Sequence, residues 1–383
     1  MVNTMFEWLF KIEDNWVVFF DLFSKNGNGD SIRPIAEELR KQRPDMKFFF
    51  CDKRKKRLSH IDMADEIITE KTLRFKYVCS KAKYIISPMG FPNKGKKRNG
   101  QIFIQTFHGS PVKRCYLARD NQNRKYKKFA KLYRNTDIAC AQSEFFKPLW
   151  IETYGFENPV IFTHGVPRND ILFTKKNDMG FIENLKKELG LPENKKVILY
   201  CPTWRRYDYK AILPFDMEYL KKELSDKYVL LMRSHVGKHE WVNSKLEPVD
   251  IFDNKFCYNG GDYPEITHLY LITDIMISDY SSAIWDFSIT GKPQILYTYD
   301  YESFSTEFKL HFNYPEFFPF PQVKDQKALV DSIKNYPDIQ SAYNDFCEKY
   351  LTWETGKATE NLMNEILKSQ VKNASSNFSR RDG

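Results

Sequence analysis

Four short apolar runs, each cut off by a polar cluster, constrain this chain more than any other feature. Ile102 to Phe107 ends at His108-Gly109-Ser110-Pro111, and Val197 to Tyr200 runs into Cys201-Pro202-Thr203-Trp204-Arg205-Arg206. Tyr228 to Met232 runs into Arg233-Ser234-His235, and Asp274 to Ser278 into Asp279-Tyr280-Ser281-Ser282. Runs of this length and composition read as strands. Trp16 to Phe23, Met46 to Cys51, Tyr84 to Ser87, Asp137 to Ala141, Val160 to Thr163 and Gln294 to Tyr297 add further ones. Helical periodicity lies between them, as in Ile32 to Arg43, where Ile32, Ile35, Ala36 and Leu39 share a face. Strands alternating with helices predict α/β architecture with doubly wound parallel sheets. Such sheets bind ligands at the carboxyl ends of their strands, where all four polar clusters fall.

The chain has 383 residues, enough for two or three domains. We place a first domain at 1–175, a second at 176–350, a C-terminal helix at 351–370 that crosses back to the first domain, and a disordered tail at 371–383. The helix itself reads from Thr355 to Lys368. No apolar run reaches transmembrane length, and the aromatic N-terminus, interrupted by Glu7, Glu13 and Asp14, does not read as a signal peptide. The seven cysteines are scattered without a CxxC pair, as expected of reduced thiols in a cytosolic protein.

Charge is uneven along the chain. Residues 1–150 hold 31 Lys and Arg against 16 Asp and Glu, a net of +15, so the remainder carries −6 of the total +9. The basic half contains three clusters, Lys53 to Arg57, Lys94 to Arg98 and Arg124 to Lys128. They suit an anionic membrane, a polyanionic substrate or nucleic acid, and charge alone does not choose among these.

The strand-end residues carry the chemistry. An imidazole at His108, beside a glycine that permits close approach, suits a general base; a structural histidine is the alternative. Arg233 and His235, two apart on an extended segment, face one way and suit a single anionic group. Lys113, Arg168, Arg205 and Arg206 supply further cations matched to phosphate oxygens. Ser281 and Ser282 are good helix N-cap residues, and a helix start offers N–H donors to a phosphate. A purely structural cap is the competing account. No acidic cluster with metal-ligand spacing is evident, so no cofactor is expected, with a single Mg²⁺ left open.

The motifs HGSPVK, GVPRND, CPTWR, RSH and SDYSSAIWDFSITGKP, in this order, resemble the CDP-glycerol glycerophosphotransferase family. These are the teichoic-acid primases and polymerases, with relatives in capsule synthesis. The likeness spans Asn15 to Leu367, and the long serine-turn motif is its most specific part. It implies a GT-B fold, two doubly wound Rossmann-like domains facing a cleft. It also implies transfer of a polyol phosphate from CDP-glycerol or CDP-ribitol to a lipid-linked glycan or polyol-phosphate acceptor, releasing CMP. By motif, His108 resembles the general base, and His235 joins Arg233 in stabilising charge. Gly109, Ser110, Pro111, Arg168, Pro202 and Thr203 would contact the donor. Ser281 and Ser282 would hold its pyrophosphate, and Asp286 a hydroxyl of polyol or ribose. The likeness implies a cytosolic enzyme, peripheral on the inner face of the membrane. Attachment would rest on Met1 to Ile12 and the basic clusters, since there is no room for a separate N-terminal targeting region. Two alternatives stand beside this: a GT-B glycosyltransferase using a nucleotide sugar, and a non-enzymatic basic nucleic-acid-binding protein. No nucleic-acid recognition signature favours the latter.

Overall fold

The computed structural model describes residues 10–20, 30–52, 61–91, 97–203, 205, 211–234, 241–242 and 249–378. The chain divides into two units. The first comprises Met1–Ser110, Cys115–Asp170 and Thr352–Gly383; the second comprises Pro111–Arg114 and Ile171–Leu351.

The first unit is built on seven strands: β1 (Glu13–Phe20), β2 (Lys47–Asp52), β3 (Glu66–Thr69), β4 (Ala82–Ser87), β5 (Ile102–Gln105), β6 (Ile138–Ala141) and β7 (Ile161–His164). They lie in the order β3-β2-β1-β4-β5-β6-β7, and every pairing is parallel. The sequence of β1 explains why. Successive side chains point to opposite faces, so WVVFF is apolar on both. Val17 and Phe19 enter one cluster with Phe48, Phe50 and Ile104, while Val18 and Phe20 enter another with Phe49, Ile85 and Phe103.

The last helix, Ala358–Phe378, seals one of these clusters with Leu362, Met363 and Ile366. Burying three such side chains is worth roughly 1.5–3 kcal/mol each. Asp170 accepts the backbone N–H groups of Ala358 and Thr359 at the helix start. Gly165, with φ at +88°, lets the helix approach: a Cβ there would lie 2.8 Å from that of Ala358. The helix runs ten residues beyond the Lys368 end read from the sequence, so 371–378 of the expected disordered tail is helical. Polarity suggested a frayed tail, but no glycine or proline interrupts the chain before Gly383.

The second unit carries β8 (Lys196–Tyr200), β9 (Ala211–Ile212), β10 (Tyr228–Met232), β11 (Trp241–Val242), β12 (Cys257–Asn259), β13 (Ile275–Ser278), β14 (Gln294–Tyr297) and β15 (Gln322–Val323). Six of them form a parallel sheet in the order β12-β10-β8-β13-β14-β15; β9 and β11 pair separately. Both main sheets extend one way from their first strand and then resume on its other side. The reversal falls between β1 and β4 in one sheet and between β8 and β13 in the other. Ligands of open α/β sheets bind at such a reversal.

The alternation expected from sequence is present, with β3, β9, β11, β12 and β15 as additions. These are short, and β12 and β15 contribute only Cys-Tyr-Asn and Gln-Val, too little for a hydrophobic period to register.

Candidate active site

In the second unit, three of the polar clusters emerge from neighbouring strands. After β8, the Cys201 N–H donates to Ile277, and the Cys201 carbonyl accepts the Ser278 hydroxyl at 2.8 Å. The Thr203 N–H donates to Asp279 Oδ1 at 2.7 Å, and Asp279 Oδ1 also accepts the Tyr280 N–H. The ends of β8 and β13 are thereby sewn together at the reversal of strand order. After β10, the Arg233 N–H donates to the Tyr200 carbonyl at 2.9 Å. Pro202, Thr203, Arg233 and the serine turn thus share the carboxyl end of one sheet.

Of the two serines read as helix caps, only one bonds to the helix start. Ser281 Oγ accepts the Ala283 N–H at 3.2 Å, while Ser282, at the cap position, makes no side-chain cap hydrogen bond. Its backbone is already helical there, whereas a capping side chain needs extended backbone. The helix is only Ala283–Ser288, buried throughout, and Asp286 is buried within it. The Thr203 hydroxyl is buried with no hydrogen-bond partner among the described residues.

Two buried arginines stand close in sequence to these elements, and their electrostatics are opposite. Arg205 is 7% exposed. Its Nε donates to Asp300 Oδ2 at 2.6 Å, its Nη2 to Asp300 Oδ1 at 3.0 Å and to Asp279 Oδ2 at 2.9 Å, and its Nη1 to the Thr203 carbonyl at 2.6 Å. The Phe304 ring lies 4.7 Å beneath it. Burial acts against its charge, but Asp279 and then Asp300 outweigh it and hold the guanidinium above its ordinary pKa. Arg205 was expected to contact the donor. Its three nitrogens are instead committed inside the fold, because two carboxylates from distant segments reach it first.

Arg233, 8% exposed, forms no ion pair among the described residues, and Glu265 acts on it only as a nearby charge. Its Nη1 donates to the carbonyls of Gly260 and Tyr263, and burial pushes its pKa down. A guanidinium held out of water without a counter-ion is costly unless an anion completes it.

In the first unit, His108 follows β5 and is exposed, with Nδ1 3.5 Å from the Pro88 carbonyl. Gly109 is half-buried next to it. Ser110, expected at the donor, is buried and donates its hydroxyl to Gln142 Oε1. Arg168, also expected at the donor, is buried and paired at 3.1 Å with Asp30, just before the helix Ile32–Gln42. In the second unit, Pro111 is buried, and Lys113 bridges to Leu310 with its Nζ 5.9 Å from the Phe308 ring centroid. His235 and Arg206 lie outside the described residues, as do 1–9 and the cluster 53–57.

The sequence reading missed Asp279 and Asp300 as organisers of the site. A signal for Asp300 existed: it follows β14 (QILY, then TYD) in the same strand-end position as the other clusters. Among the described residues no group of three or more His, Cys, Asp or Glu is placed to hold a metal ion. No described helix is long and apolar enough to cross a membrane.

Known proteins match this chain over nearly its whole length. The teichoic acid glycerol-phosphate transferase of Staphylococcus aureus is 28% identical, covering 96% of this chain and 97% of the relative. The teichoic acid poly(glycerol phosphate) polymerase of Bacillus subtilis is 27% identical over 92% of this chain, which spans about half (49%) of that longer protein. Among solved structures, that of the wall teichoic acid polymerase TagF superposes with a TM-score of 0.81 at 24% identity, covering 97% of this chain and 93% of that one, so the two share a fold. The model of the CDP-Glycerol:Poly(glycerophosphate) glycerophosphotransferase family matches residues 2–368, and the chain therefore belongs to that family.

Proposed function

We propose that this protein transfers glycerol phosphate from CDP-glycerol to a hydroxyl of a lipid-linked acceptor in teichoic-acid synthesis, releasing CMP. Family membership gives the reaction class. Glycerol is favoured over ribitol by the family's own description and by identity, which is 28% to the glycerol-phosphate transferase over 96% of this chain and 24% to the TarK ribitol-phosphate polymerase over 94%.

The observation that carries the assignment of groups is Arg233, a buried guanidinium with no directly paired carboxylate, just after β10, the strand beside β8. An anionic pyrophosphate supplies the missing counter-charge. In the reaction, the acceptor oxygen forms a bond to the β-phosphorus of CDP-glycerol. The bond from that phosphorus to the bridging oxygen breaks, and CMP leaves with the electron pair. Arg233, with the hydroxyls of Ser281 and Ser282, stabilises the charge that grows on the phosphates. His108 removes the acceptor proton, and its exposure leaves it accessible to that hydroxyl. His235, Pro202, Gly109, Pro111, Lys113 and Asp286 complete the donor and acceptor contacts. Arg168, Arg205 and Ser110 hold the surrounding backbone, since their donors are engaged within the fold.

The acceptor brings the enzyme to an anionic membrane surface. Supporting this is the helix Arg124–Ala130, where exposed Phe129 sits among exposed Arg124, Lys125, Lys127 and Lys128. An apolar ring among cations suits a headgroup boundary.

Calorimetric titration with CDP-glycerol, alongside turnover with a lipid-linked acceptor analogue, tests the two assignments separately. Arg233→Met should weaken donor binding by about 10- to 100-fold, the worth of charge-assisted hydrogen bonds. His108→Ala should bind donor within a few-fold of normal and not turn over. Normal donor binding by Arg233→Met, or near-normal CMP release by His108→Ala, would show the corresponding role to be wrong.

A further inference from the structure

Phe107, immediately before His108, has φ at +54°. A bulky side chain in this left-handed region crowds the backbone and is uncommon. Such a residue persists only where its surroundings over-determine it, and here they do so from three sides.

The ring of Phe107, 3% exposed, stacks on Trp150 with centroids 3.8 Å apart and planes at 14°. Tyr154 lies 5.5 Å away, nearly parallel, and itself stacks on Tyr133 at 3.9 Å. The backbone N–H of Phe107 donates to Gln105 Oε1 at 3.1 Å, and the Gln105 amide donates onward to the Met89 carbonyl at 2.8 Å. Thr106 N–H donates to the Ser87 carbonyl at 3.0 Å, and three residues after Phe107 the Ser110 hydroxyl is fixed to Gln142. The chain is therefore pinned on both sides of His108. At the pivot between the pins it takes a conformation that its own residue type disfavours.

We infer that Phe107 is a positioning residue for His108: the aromatic column holds a left-handed turn at the end of β5, and that turn sets where the imidazole stands. This rests on His108 being the base proposed above. A strand continued through Phe107 would carry His108 onward in register with its neighbours. The turn ends the pairing at Gln105 and leaves Phe107 buried with His108 exposed. The consequence is mechanistic. Misplacing a catalytic group by about 1 Å costs on the order of 100-fold in rate, with little effect on binding.

The test compares Phe107→Ala, Phe107→Gly, Trp150→Leu and His108→Ala for kcat, donor Kd and the pH–rate profile, with thermal melts establishing that each is folded. Phe107→Ala and Trp150→Leu should lower kcat on the order of 100-fold, leave donor Kd within about 3-fold, and displace a limb of the wild-type pH–rate profile. Phe107→Gly loses the same ring but adopts positive φ freely, so its kcat should exceed that of Phe107→Ala. Trp150→Leu leaves Phe107 itself intact and serves if the Phe107 variants fail to fold. Near-normal kcat in folded Phe107→Ala and Trp150→Leu would overturn the inference, as would equal loss of kcat and donor affinity, or a glycine variant no better than alanine. If His108→Ala itself turns over, the base assignment has failed rather than the positioning role. If His108→Ala is inactive while the Phe107 and Trp150 variants are normal, only the positioning role has failed.

Discussion

Replacing Arg205 by Met leaves Asp279 and Asp300 facing each other in a site 7% exposed at its centre, with the cation between them gone. Methionine keeps much of the volume against Phe304, so the loss is chiefly electrostatic. Four hydrogen bonds disappear, three of them to carboxylates. Removing one side of a buried ion pair costs about 3–5 kcal/mol, because the remaining charge is uncompensated. For a unit of this size each kcal/mol shifts Tm by roughly 2–4 °C, so the variant should melt about 6–20 °C lower. A second change, Asp300→Asn, should restore part of the loss at neutral pH by removing one stranded charge. Urea unfolding at neutral pH, followed by tryptophan fluorescence, measures both. A deficit below about 1 kcal/mol, the range of an exposed pair, or one unchanged by Asp300→Asn, would refute Arg205 as the charge that organises the serine turn.

Two further expectations concern stability. Burial, with Arg114 adding to it, lowers the His311 pKa from 6.5 to about 4. The unfolded chain then binds a proton between those values that the folded chain refuses, so stability is full above pH 6.5 and falls as pH drops toward 4. His311→Gln should flatten that part of the stability–pH curve in urea titrations at stepped pH; an unchanged slope would count against it. Gly165→Ala should cost roughly 2 kcal/mol or more, because φ is +88° and the new Cβ would meet Ala358 and the Trp353 carbonyl. Limited proteolysis should then release the C-terminal helix first, and a resistant variant would show that the close approach is not needed.

Much of the fold was readable from local pattern. β10 and β14 lie where the apolar runs place them. An apolar run's length and its terminating residues are properties of a few neighbouring positions, and they suffice for a strand. The strand-end rule also led to His108, Thr203, Arg233 and the serine turn, since polar residues after a buried parallel strand have few other places to go. Arg168 and Arg205 show where this stops. As bare cations after a strand they look like phosphate ligands. Their carboxylates lie 138 residues away for Arg168, and 74 and 95 residues away for Arg205, and no local pattern registers such a pairing.

The sequence by itself determined that two α/β sheets would form, that polar clusters would end several of their strands, and which family the motifs resemble. All of these follow from periodicity and from residues close together in the chain. Only the tertiary structure separated Arg205, neutralised by Asp279 and Asp300, from Arg233, which is buried without a directly paired carboxylate. Only it showed that Phe107 is held left-handed by a column of rings. The physical reason is common to both: a charge's worth and a backbone's strain depend on what is packed around them, and that packing is contributed by segments far away in the chain.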